Sequence, residues 1–179
     1  TDLGVFVADA DGAIVRTLEG QTETGRIHRV TWDLRHEPLP SSPEDPESPQ
    51  ARALPRPPRP VAPVGPWVSP GTYTVTLTAG SATTTETVMV AGDPGKPALT
   101  TAQYQDRERF LVDLMNVQRA LATGRGGQSG QGLAGQLRGL ASEFNGRGSV
   151  QGSLYPPTPE QRRTLERIKA QIGRSPGGR

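Results

Sequence analysis

A chain of 179 residues with 22 glycines, 18 prolines and only 32% apolar side chains holds too little apolar material for one large core, and reads as a modest core carrying long irregular segments. Its 20 basic and 18 acidic side chains are interspersed, which argues against a nucleic-acid face; the densest basic cluster, QRRTLERIK at 161–169, is interrupted by glutamate. The absence of cysteine excludes disulfides, thiolate metal sites and cysteine nucleophiles, and no run approaches the roughly 18 apolar residues of a membrane span.

The chain opens at Thr1 with neither Met nor a signal-peptide pattern, as a processed product or a fragment would. Residues 3–18, LGVFVADADGAIVRTL, predict a β-hairpin, with Val5 and Val7 in one arm, Ile14 in the other and DADG as the turn. Residues 26–35 predict a further strand with Ile27, Val30 and Trp32 inward and a bulge near His28. TYTVTLTA at 72–79 places Tyr73, Val75 and Leu77 on one face, TTTETVMV at 83–90 is a weaker strand, and AGDPGKP at 91–97 ends the sheet.

From residue 100 the apolar period lengthens from two to about 3.6. Thr100 and Gln103 form a capping box, and Phe110, Leu111, Leu114, Val117 and Leu121 make the stripe of a helix reaching about Thr123. After a Gly-rich break, Leu133, Leu137, Leu140 and Phe144 continue a helical stripe. Thr158 then caps a last helix with Pro159 at its first position and Leu165, Ile168 and Ile172 on its apolar face. Strands first and helices second predict a β-sandwich, immunoglobulin-like but short of its seven strands, with a C-terminal helical extension. The β domain is assigned to 1–97 and the helical extension to 98–179.

Between Glu37 and Pro66 lie eleven of the prolines. Each lacks a backbone donor, so this insertion cannot pair inside a sheet, and it favours the extended polyproline II form. It is either a solvated spacer or an arm along a partner, with Arg52, Arg56 and Arg59 supplying charge-assisted contacts from among Pro55, Pro57, Pro58 and Pro60. Trp67 either pins the returning chain to the sheet or is an exposed anchor for a partner or a sugar ring. The stripe Phe110, Leu114 and Leu121 is a second candidate surface, because short separate helices hardly form a bundle on their own.

The run VFVADADGAIVRTL, then HRVTWDLR, then GTYTV resembles the FlgD-type immunoglobulin-like module of the flagellar hook-capping protein. The order TWDLR, PGTYTVTLTAG, DP, helices and PTPEQRRTLERI is similar to the C-terminal region of bacterial sortilin-type, BNR-repeat, glycosyl hydrolase-like β-propeller proteins. The chain also resembles an extrinsic subunit of a bacterial photosynthetic reaction-centre–light-harvesting complex. These resemblances imply a non-catalytic, periplasmic or extracellular module; the propeller that carries any hydrolase label has no counterpart in this sequence.

Candidate chemistry is sparse. His28 and His36 with Asp9, Asp11 and Asp33 lack the spacing of a metal site, and DADG lacks the remaining ligands of a calcium loop. Glu44, Asp45 and Glu47 fall in the insertion, and GRGGQSG lacks the Lys-Ser/Thr ending of a phosphate loop. The expectation is a non-enzymatic structural subunit without cofactor or metal. It would dock on the extracytoplasmic face of a larger assembly, a membrane photosynthetic complex being one such assembly. The alternative is a carbohydrate-binding accessory module of a secreted hydrolase-like protein.

Overall fold

The computed structural model describes residues 3–20, 27–39, 64–95, 99–123, 130–145 and 152–174. The hairpin forms as β1 (Leu3–Ala8) and β2 (Ile14–Glu19). Its turn is organised by Asp9, whose Oδ1 accepts from the amides of Asp11 at 3.0 Å and Ala13 at 2.9 Å, while Gly12 takes the left-handed φ of 82° that a side chain would resist. The register jumps between Val7↔Arg16 and Ala8↔Ile14, so Val15 is the extra residue of a bulge. That bulge turns Val15 into the core and leaves Ile14 exposed.

β3 (Gly71–Ala79) pairs antiparallel with β1, and β4 (Ala82–Val90) with β3, giving a four-stranded antiparallel sheet in the order β2-β1-β3-β4. Val7, Val15, Tyr73 and Val68 are its buried cluster, with Trp32, Val75 and Val90 packed at the margin. Residues 27–34 are not a strand. Ile27 is wholly exposed, and ladder-type pairing is confined here to an isolated bridge between Arg35 and Trp67 among the described residues. Alternating apolar residues make a strand only where a partner edge accepts the backbone, and here the sheet ends at β2. Trp32 nevertheless packs as expected, edge-on to Tyr73 with ring centroids 5.3 Å apart.

α1 (Thr101–Ala122), α2 (Gly130–Asn145) and α3 (Pro159–Arg174) follow. Thr100 and Gln103 cap each other's backbone reciprocally, and Thr158 and Gln161 repeat the device at α3. The stripes of the three helices close on one another. Phe110, Leu111, Leu114, Val117, Leu133, Leu137, Leu140, Phe144, Leu165 and Ile168 form one buried cluster, with Leu121 and Ile172 against it. Arg162 to Asp106 and Lys169 to Asp113 tie α3 to α1 across its rim.

The short helices therefore do form a bundle. Phe110 and Leu114, expected as a partner-facing surface, are its interior, and Leu121 is half-buried at its edge. An amphipathic stripe demands a covered face, and α2 and α3 cover this one.

Candidate functional site

Where the insertion leaves and re-enters the described fold, its two ends are fastened side by side. The His36 amide donates to Pro66 O at 2.9 Å, the Val68 amide to Leu34 O at 3.0 Å, and Arg35 Nη1 to Gly65 O at 2.8 Å. The approach is close enough that a Cβ on Gly65 would lie 1.9 Å from His36 O, so only glycine fits. The Arg35 guanidinium stacks on the Trp67 ring, 3.8 Å from its centroid. Leu34 is held at φ 58°, an uncommon conformation for a branched side chain.

This neck is anchored in two directions. Toward the sheet, Glu37 N donates to Val15 O at 2.8 Å, Arg16 Nη1 to His36 O at 3.0 Å, and Thr17 N to Glu37 Oε2 at 3.1 Å. The Tyr73 hydroxyl donates to Ser69 O at 2.7 Å, and burial, with Glu108 and Asp9 nearby, pushes its phenol up to about 12. Toward the helices, one residue of α1 gathers both strands of the neck. Glu108 Oε1 meets His36 Nε2 at 2.6 Å, and its Oε2 accepts from Ser69 N at 3.1 Å. Burial raises the Glu108 carboxyl, but these hydrogen bonds and the neighbouring imidazole outweigh it and hold the group below the usual carboxylate range.

Ser69, Glu108 and His36 have the membership of a hydrolytic triad in the wrong order. The carboxylate stands between serine and histidine, and the Ser69 hydroxyl, buried beside Glu108, makes no well-aligned hydrogen bond. A serine nucleophile needs the imidazole to take its proton, so this arrangement fastens chain segments and does not activate an alcohol.

Beside the neck opens a cavity of about 590 Å³, walled by Leu34, Trp67 and Val68 of the neck, Val90 at the end of β4 and Ala91 to Pro94 after it, Leu99, Tyr104 and Arg107 of the α1 region, and Leu154 and Tyr155 before α3. Trp67 is 45% exposed there and Tyr155 56%. Arg107 is 6% exposed; its Nε and Nη2 donate to Ser153 O, and Nη2 also to Phe144 O. Burial lowers its pKa, and the positive charge of Arg35 lowers it further.

Of the residues expected to bind a partner, Trp67 sits at this neck and cavity: its backbone bridges to Arg35, and the residue is 45% exposed. Arg52, Pro55, Arg56, Pro57, Pro58, Arg59 and Pro60 lie outside the described residues. The sequence reading missed Glu108 and Arg107. Arg107 carried a usable signal, since it precedes Phe110, Leu111 and Leu114 at helical spacing on the same buried face. Among the described residues no three His, Asp or Glu side chains cluster as metal ligands, and no helix is long and apolar enough to cross a membrane. Compared with protein families, curated proteins and solved structures, the chain matches none.

Proposed function

We propose that this chain is a non-catalytic interaction subunit that presents its proline-rich insertion from a fixed base and docks on the extracytoplasmic face of a larger assembly, such as a membrane photosynthetic complex. The observation that carries this reading is the neck. Backbone pairing, a stacked Arg35–Trp67 pair and the His36–Glu108 bridge hold both ends of the insertion together and bind them to sheet and helices alike. A fixed base positions a loop on a rigid scaffold and lowers the ordering cost of any contact the arm makes, which supports the reading. The finer assignment of the sheet to an immunoglobulin-like sandwich belongs to the same proposal and rests on the sequence resemblance.

The test is affinity purification of the tagged chain from gently solubilised native membranes, beside a variant in which 40–63 is replaced by a short Gly-Asn turn that spares the neck. One stoichiometric complex with the intact chain, lost with the variant, supports the proposal; recovery of the same complex with both removes the arm from it. A second reading, carbohydrate binding, is favoured by the open flanks of Trp67 and Tyr155 on one cavity. Glycan arrays probed with the purified chain address it directly.

A further inference from the structure

The cavity beside the neck has a composition that a docking arm does not require. Its walls are chiefly apolar and aromatic, from Leu34, Trp67, Tyr104, Leu154 and Tyr155, and its volume of about 590 Å³ falls in the range of small-ligand sites. One guanidinium group lines it, and a second lies on the ring of one of its wall residues. Arg107 forms part of the wall, and Arg35 lies on the Trp67 ring, near enough to Arg107 for the two charges to repel.

Arg107 makes its described hydrogen bonds to neutral backbone carbonyls, so none is to a carboxylate, and no described group bonds its Nη1. Arg35 likewise bonds the Gly65 carbonyl. Among the described residues, the acidic side chain on the cavity wall is Asp93. It is exposed, where solvent screens it, and its Oδ1 is engaged by Gly95 N at 2.8 Å. Glu108 is engaged by His36 and Ser69. A nearly buried guanidinium without an anionic partner is costly, and it binds a carboxylate more strongly than any neutral acceptor.

We propose that this cavity is a binding site for a small apolar carboxylate, an aromatic or medium-chain acid whose body lies along Trp67, Tyr104 and Tyr155 and whose carboxylate meets Arg107. Such a ligand would bind whether or not the insertion engages a partner. It would also be held by the fold on both sides, because the cavity wall is drawn from the neck, the end of β4, α1 and the segment before α3.

The probes are octanoate and its neutral counterpart octanamide, titrated by calorimetry into the full-length chain and followed in parallel by Trp fluorescence. Octanoate should bind saturably, and octanamide at least about tenfold more weakly, as expected when a hydrogen-bonded charge is replaced by a neutral group. Arg107→Met should bring the two probes to equal affinity. Because Arg107 also ties α1 to Phe144 and Ser153, that variant is read only if its circular dichroism matches the parent. Gly92→Leu is the second variant: a Cβ there meets the Tyr104 hydroxyl at 3.3 Å, so the larger side chain fills the cavity and should abolish octanoate binding while leaving Arg107 in place. Equal binding of octanoate and octanamide to the parent overturns the proposal, as does no binding at millimolar octanoate. Tighter binding of a short peptide ending in a free leucine carboxylate overturns the small-molecule assignment.

Discussion

His36 Nε2 and Glu108 Oε1 lie 2.6 Å apart although 72 residues separate them in the chain. One belongs to the neck of the proline-rich insertion and the other to α1. Among the described residues strand and helix backbones do not approach closely, and loop segments of this kind join the sheet to the bundle. With side chains only 15% and 18% exposed, the pair is a principal fastening between the two halves.

Acid should loosen that fastening. The Glu108 carboxyl is held below its ordinary value of 4.5, so the native state binds its proton less readily than the unfolded chain does. The stabilisation is therefore complete above about 4.5 and is lost as pH falls through the lower folded value. Glu108→Gln should cost about 1.5–3 kcal/mol at pH 7, the usual worth of hydrogen bonds to a charged group. It should also flatten the acid limb of stability. Urea melts at pH 7 and at steps from 5 to 3 check both; an acid limb unchanged by the substitution would assign the pH dependence to other carboxylates.

Burial should set the cost of a substitution in either half. Leu137 is fully buried where α2 meets the other helices, so Leu137→Ala should cost about 2–5 kcal/mol through lost burial and the cavity left behind. Ile14→Ala, on an exposed strand position, should change stability by no more than about 0.5 kcal/mol. Denaturant midpoints read by helical circular dichroism compare the two, and equal effects would contradict the burial assigned to them.

Local signals carried most of the elements. Period-two runs marked β1 and β3, the DADG turn placed β2, and β-branched residues marked β4; Thr100 with Gln103 marked the start of α1, and Thr158 with Pro159 that of α3, because caps and turns are settled by neighbours a few residues away. What failed was partnership. Residues 27–34 alternate like a strand, yet Ile27 is bare to solvent, since alternation says nothing about whether an edge is available. Phe110 and Leu114 were recognisable as a stripe but not as the face that α2 and α3 bury. The site was less legible still. Trp67 stood out by type, whereas Glu108 looks in sequence like any helical glutamate, and only folding brings His36 and Ser69 to it.

Arg35 should report on the integrity of the neck. Its guanidinium stacks on Trp67 and donates to Gly65 O, so it joins the two ends of the insertion by two separate contacts. Arg35→Met keeps much of the stem's packing and removes both. A loss of about 1–2 kcal/mol is expected, combining a partly shielded cation–π contact with one hydrogen bond. Trp67 emission should shift to the red as water reaches the uncovered ring face. Unchanged emission with unchanged stability would mean that the backbone bonds of the neck suffice without it.

Leu34 offers the sharpest separation of stability from function. Its φ of 58° costs a leucine about 1–2 kcal/mol relative to a right-handed or extended conformation, and asparagine tolerates that region better. A strained residue of this kind persists where its surroundings fix it, and such positions cluster at ligand sites. Leu34 is part of the cavity wall, while the backbone strain arises in the neck, where its carbonyl accepts from Val68 N. Leu34→Asn should therefore raise stability by up to about 1 kcal/mol in thermal melts, because the strain falls and little apolar burial is lost from a side chain 38% exposed. The same substitution should weaken octanoate binding by removing apolar wall. A destabilised variant would show instead that the leucine side chain, and not the backbone bridge, holds this corner of the neck.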